Sequence, residues 1–161
     1  MIKHETAVKK DERQFLVFTL QGEKMAFPIG CVREVLKPQE IHPLVHAPDF
    51  IDGVIYVRQC VLVVASLRKR FGLKAGEDLP KERIIICKVS NMILGFIVDS
   101  VSEVLTVPAS SIQQPPEILT LQNKGRFVTG LVRVGEHVIT LLDLERIVTR
   151  EELAGLSGIK S

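Results

Sequence analysis

The apolar positions of this chain fall in short runs dominated by Val and Ile. That pattern predicts strands packed on a core rather than long helices. Gln14 to Leu20 and Lys24 to Ile29 flank Gln21-Gly-Glu23 and predict a hairpin closed by a glycine-containing turn. Gly30 to Val35 holds a single helical turn, after which the chain continues extended to about Leu44, because Pro38 and Pro43 exclude a long helix. Phe50 to Arg58 and Cys60 to Ser66 form a second strand pair, followed by a short helix from Leu67 to Phe71 that Gly72 stops. Lys74 to Glu82, with Gly76, Pro80 and alternating charges, reads as a linker. Beyond it, Arg83 to Val89 and Met92 to Val98 pair across Ser90-Asn91, and Val101 to Val107 is extended. Pro108 to Arg126, with Pro115-Pro116, forms a surface loop; Phe127 to Val134 and His137 to Leu142 pair across Gly135-Glu136. Asp143 caps a closing helix that starts at its own position.

The second half repeats the first. Phe27-Pro-Ile-Gly-Cys-Val-Arg-Glu-Val-Leu36 recurs as Phe96-Ile-Val-Asp-Ser-Val-Ser-Glu-Val-Leu105, and Gly53-Val-Ile…Val61-Leu-Val-Val-Ala-Ser-Leu67 recurs as Gly130-Leu-Val…Val138-Ile-Thr-Leu-Leu-Asp-Leu144. Self-similarity in conserved order marks a duplicated supersecondary unit. The expectation is two superposable barrels, one from strands between Gln14 and Ser66 and one from strands between Arg83 and Leu142, with Phe27 matching Phe96 and Leu67 matching Leu144.

The balance of 21 basic and 19 acidic residues gives a net charge of +2, spread along the chain, so no field favours nucleic acid or an anionic membrane. Lys9-Lys10-Asp11-Glu12-Arg13 and Arg68-Lys69-Arg70 read as solvated faces. Met1 to Arg13 is a polar tail without the apolar core of a secretory signal, and no 18-residue apolar stretch spans a membrane. The three cysteines, Cys31, Cys60 and Cys87, lie in apolar runs and read as buried, reduced thiols of a cytoplasmic protein.

Reaction chemistry finds little support. His42 and His46 would share a helical face, but Pro43 and Pro48 break any helix and no ligand set completes a metal site, so both read as exposed loop residues. His137 sits in a hairpin turn and faces solvent. No phosphate-binding glycine loop and no nucleophile elbow is present, so neither a cofactor nor a metal is expected. Asp99 and Asp143 end apolar strands as caps and turn formers rather than as a catalytic pair. The phenylalanines lie inside apolar runs and read as core rather than as base-stacking platforms.

Phe15-Leu-Val-Phe-Thr-Leu20, Cys31-Val-Arg-Glu-Val35, Ala47-Pro-Asp-Phe-Ile-Asp-Gly-Val-Ile55, Gly95 to Leu105 and Gly130-Leu…Leu141-Leu-Asp-Leu144 together resemble the CheW family of bacterial chemotaxis coupling proteins, over about Gln14 to Val148. The resemblance implies an all-β fold of two intertwined five-stranded, SH3-like barrel subdomains with short helices. It places subdomain one at about 14–73, subdomain two at about 83–142, a closing helix from 143, and tails at 1–13 and 149–161. It also implies a non-enzymatic cytoplasmic adaptor that couples the cytoplasmic tip of methyl-accepting chemoreceptors to the CheW-like regulatory domain of a CheA-type histidine kinase. The alternative is a small β-barrel binding module for another protein or a nucleic acid. Carried over by motif, the partner-binding positions are Val32, Glu34, Val35, Gly53 and Arg58, with Tyr56 and Gln59 as neighbours that depart from the family. Members commonly read Asn-Leu-Arg-Gly where this chain has Tyr56-Val57-Arg58-Gln59, and Asp-Leu-Arg where it has Ser66-Leu67-Arg68. Gln59 therefore requires either a different turn or local strain.

Overall fold

The computed structural model describes residues 11–74, 80–116 and 125–156. Ten strands run in chain order as β1 (Glu12–Leu20), β2 (Glu23–Pro28), β3 (Val32–Leu36), β4 (Ile51–Val57), β5 (Cys60–Ser66), β6 (Arg83–Val89), β7 (Met92–Val98), β8 (Ser100–Pro108), β9 (Val128–Val134) and β10 (His137–Leu142). Short helices α1 (Leu67–Arg70), α2 (Leu144–Ile147) and α3 (Arg150–Leu156) follow β5 and β10, and a 3₁₀ turn at Ile29–Cys31 leads into β3. All four predicted hairpins are present, within two residues of the expected limits. The single turn before β3 and the helices after Ser66 and Asp143 are also present. Asp143 is the expected cap and accepts from the Glu145 amide; Ser66, not foreseen as a cap, accepts from the Lys69 amide.

The strands build two five-stranded sheets, β8-β1-β2-β10-β9 and β3-β6-β7-β5-β4. Neighbours are antiparallel except β2 with β10 and β5 with β7, which are parallel. Each sheet curls until the segment that follows one outer strand bridges the other, Gln113 beyond β8 with Leu131 of β9 in the first barrel and His42 beyond β3 with Val54 of β4 in the second.

Mapping the first repeat onto the second turns one strand order into the other, so the duplication is reproduced strand for strand. The division of strands between barrels differs from the expectation. Hairpin β1–β2 of the first repeat sits in the barrel completed by β8, β9 and β10 of the second, and hairpin β6–β7 sits with β3, β4 and β5. The repeats exchange hairpins, and the crossings are Pro28 to Val32 and Val98 to Ser100. Subdomains of consecutive sequence, 14–73 and 83–142, are therefore corrected to barrels that each draw on both halves. Residues 75–79 of the predicted linker, 117–124 of the long loop, and the ends of the chain at 1–10 and 157–161 lie outside the described residues.

Burial explains the exchange. Leu16, Phe18 and Leu20 of β1 face a central core between the barrels, while Phe15 and Val17 line the first barrel's interior. Likewise Ile85, Cys87 and Val89 of β6 face the centre, and Ile84 and Ile86 line the second barrel. Strands covered on both faces read as continuous apolar runs, as these do. Phe27 and Phe96, at equivalent sites, are fully buried with ring centroids 5.6 Å apart, and Leu67 and Leu144 are both buried in the same central core.

Two further expectations are corrected. Residues 149–156 are not tail: α3 buries Leu153 and Leu156 in the central core. Among the cysteines, only Cys87 is buried; Cys31 is half-buried and Cys60 is exposed, because β5 begins directly after a tight turn and its first side chain points outward.

Candidate functional site

The candidate surface is built where β3 and the β4–β5 hairpin meet across the seam of the second barrel. Val57 pairs with Cys60, leaving Arg58 and Gln59 as a two-residue turn with φ of 48° and 67°. Two consecutive positive φ values are those of a type I′ turn, which matches the twist of the flanking strands but favours Gly or Asn. Gln59 thus keeps the left-handed turn and accepts strain, as Arg58 does, at a cost of about 1–2 kcal/mol per residue.

Arg58 Nη2 donates to Glu34 Oε1 across the seam. The guanidinium is 71% exposed while the carboxylate is 16% exposed, so the acid is a seated anchor and the base is presented outward. That hydrogen bond, and then the charge of Glu34, raise the Arg58 pKa further. Beside it Tyr56 projects outward with 60% of its surface free, and the His42 ring meets it edge-on at 5.2 Å.

The sequence-derived positions separate into two groups. Glu34, Tyr56, Arg58 and Gln59 lie on this surface, and Val35 is half-buried against the central core. Val32 is 2% exposed, so its side chain has no surface to offer a partner, and its role is corrected to core packing. Gly53 is buried beneath the closing bridge: an alanine methyl there would lie 2.1 Å from the His42 carbonyl oxygen, at a φ of 149°. Gly53 is therefore corrected from a contact residue to the residue that lets the barrel close.

Arg68-Lys69-Arg70 is not a solvated face. Each side chain binds a carboxylate from a different element. Arg68 donates from Nε to Asp99 Oδ1 at 2.7 Å and from Nη1 to the Lys74 carbonyl; Lys69 reaches Asp52 at 2.7 Å; Arg70 makes a bidentate pair with Glu152, both bonds 2.9 Å. Asp99 sits at a crossing between barrels and also accepts from the Gln21 amide at 2.8 Å. Burial alone would raise its pKa, but the Arg68 hydrogen bond, the Gln21 amide and the Arg68 charge together hold it below the usual carboxylate value. A run of three bases carries no sequence signal for such partners, which come from 17, 31 and 82 residues away. His42, His46 and His137 are exposed, and among the described residues no three metal-ligating side chains come together.

A surface of one presented arginine, one exposed tyrosine and a strained hairpin tip is suited to protein docking, where Arg and Tyr supply most of the strong contacts. Known proteins resemble the chain over nearly its whole length. The CheW-like domain family matches residues 14–152. The Chemotaxis protein CheW of Klebsiella aerogenes is 31% identical over 148 residues, covering 91% of this chain and 88% of its own length. That of Treponema pallidum is 27% identical over 157 residues, covering 95% and 92%. The crystal structure of the scaffolding protein TtCheW from Thermoanaerobacter tengcongensis superposes with a TM-score of 0.78 at 30% identity, covering 87% of this chain and 94% of that one. With its two exchanged-hairpin barrels, its duplicated motifs and these matches over nearly its whole length, the chain belongs to the CheW family.

Proposed function

We propose that the protein is a cytoplasmic adaptor in chemosensory signalling, with no reaction of its own, that couples methyl-accepting chemoreceptors to a CheA-type histidine kinase through the kinase's CheW-like regulatory domain. Family membership supports this reading, since the relatives it matches are named chemotaxis and scaffolding proteins. The observation that carries it to particular residues is the presented Arg58, anchored on Glu34 at the tip of a strained hairpin. Pre-positioning the guanidinium before the partner arrives lowers the ordering cost of association. Its remaining N–H groups stay available for a partner carboxylate or carbonyl.

The test is a titration of wild-type protein, Arg58→Ala and Arg58→Lys with a kinase regulatory domain and with a receptor-tip fragment. Arg58→Ala weakens one of the two by about 1–3 kcal/mol and leaves the melting temperature nearly unchanged, as expected of an exposed ion pair. Arg58→Lys restores binding only partly, because an ammonium does not reproduce the planar fork. Unchanged binding of both partners by Arg58→Ala removes this loop from the interface. Failure of the wild-type protein to bind either removes the adaptor reading.

A further inference from the structure

Tyr56 is the chain's one tyrosine, and its setting is unlike that of the other aromatics. All seven phenylalanines are buried, whereas Tyr56 leaves 60% of its surface free. Alternation along β4 turns it outward: Ile55 and Val57 on either side line the second barrel's interior, so the ring between them stands on the outer face. Val61, its cross-strand partner, is half-buried beside it and packs on the central core.

The ring is also held. His42 meets it edge-on, with centroids 5.2 Å apart and planes at 75°, a favoured aromatic geometry. His42 is itself fixed, because its amide and carbonyl make both 2.9 Å bonds of the bridge to Val54. Arg58, two residues beyond Tyr56, is anchored on Glu34. An aromatic face and a guanidinium with N–H groups to spare thus stand side by side, each set in place before a partner arrives.

The other repeat shows how much of this the fold requires. The first barrel closes by the same kind of bridge, yet Gln113 stands in the place of His42, Arg133 in that of Tyr56 and Gly135 in that of Arg58. Arg133 Nε donates back to the Gly135 carbonyl at 3.3 Å. Closing a barrel therefore needs neither the aromatic pair nor the presented arginine, and the set occurs once per molecule.

We infer that Tyr56, positioned by His42, is the specificity-determining residue of the Arg58 surface, and that it selects a partner segment bringing an apolar side chain to the ring beside a carboxylate for the guanidinium. This partner chemistry rests on the adaptor reading of the same surface. A segment with a polar group in place of the apolar one leaves that group desolvated against the ring and is rejected.

The test is calorimetric titration, over a range of temperature and salt, of full-length wild-type protein and its Tyr56→Ala, Tyr56→Phe, His42→Ala and Arg58→Ala variants with the kinase regulatory domain and with the receptor-tip fragment. For the fragment that Arg58→Ala weakens, Tyr56→Ala weakens binding about tenfold or more and makes the heat-capacity change of binding less negative, the mark of lost apolar burial. It leaves binding of the other fragment within about twofold of wild type. Arg58→Ala instead flattens the salt dependence. Tyr56→Phe keeps the wild-type affinity. His42→Ala weakens binding less than Tyr56→Ala does and causes no further loss once Tyr56 is alanine, as a residue acting only through the ring must. Melting curves of all four variants match wild type, since each altered side chain is exposed. If Tyr56→Ala binds as wild type does, weakens both fragments equally, or leaves the heat-capacity change unaltered, the inference is overturned while the adaptor reading stands. Wild-type protein that binds neither fragment overturns both.

Discussion

Gly53 and Gly130 occupy corresponding positions in the two repeats, yet replacing each with alanine should have very different effects. At Gly53 the new methyl would meet backbone: 2.1 Å from the His42 carbonyl oxygen, 2.7 Å from its carbon and 3.0 Å from Pro43 Cα. Relieving that overlap moves the closing segment outward by more than 1 Å in order to reach ordinary contact. The two bonds of the His42–Val54 bridge, each 2.9 Å, are then lost. Two such bonds are worth about 1–3 kcal/mol net, and forcing a side chain onto a φ of 149° adds about 1–3 kcal/mol. The lower entropy of the unfolded alanine chain offsets about 0.4–1 kcal/mol. The expected loss is about 2–5 kcal/mol. At Gly130 the nearest atom is the Ile112 Cγ2 methyl at 2.8 Å, the Gln113 carbonyl oxygen is 3.3 Å away, and no positive φ is involved, so the overlap to be relieved is smaller. About 1 kcal/mol is expected there. Urea unfolding followed by circular dichroism measures both, with equal m-values as the condition for comparing them. Equal losses at the two sites would refute the argument that the closing segment meets Gly53 with backbone atoms and meets Gly130 first with a side-chain methyl.

Two further outcomes follow from burial and charge. Cys60 labels rapidly with a thiol reagent in the native state. Cys87, whose pKa is raised by burial and then by its neighbour Cys31, labels only on unfolding, and Cys31, raised by burial and by Asp143 and Glu145, falls between; equal rates at Cys60 and Cys87 would contradict the strand directions around them. Asp99 and Glu152 both titrate below their unfolded values, Glu152 because the Thr149 amide and Arg70 outweigh its burial. Their stabilisation is complete above the unfolded carboxylate range near about pH 4 and fades as pH falls through the lower folded values. Thermal melts should show that acid loss reduced in an Asp99→Asn/Glu152→Gln variant; an identical acid slope would show that these carboxylates carry no linkage.

The hairpins, the Asp143 cap and the duplication were legible in the residues because each is a local signal: Gln21-Gly22 and Gly135-Glu136 punctuate apolar runs, and Asp143 precedes a helix. Which hairpin enters which barrel was not. The runs in β1 and β6 are apolar on both faces, so alternation carries no information on which neighbour a strand takes. At the candidate site, Arg58, Glu34, Tyr56 and Gln59 were found through family motifs, but motif position could not separate them from the buried Val32 or from Gly53, whose need is steric. The pairings of Arg68, Lys69 and Arg70, and the docking of α3, depend on carboxylates far along the chain and on a helix of only seven residues, so no periodic pattern announces them.

The exchange of hairpins also sets the order in which the protein can be completed during synthesis. Hairpin β1–β2 leaves the ribosome first, but its partners are β8 and β10, and the last of these ends at Leu142. At about 5–20 residues per second, the apolar faces of Phe15 to Leu20 wait on the order of 6–24 s for the strands that cover them. A chain built this way has no early half that can fold and shelter the rest. Its newborn state presents an uncovered hairpin with two unpaired edges, the kind of surface that holding chaperones bind and that aggregation begins from.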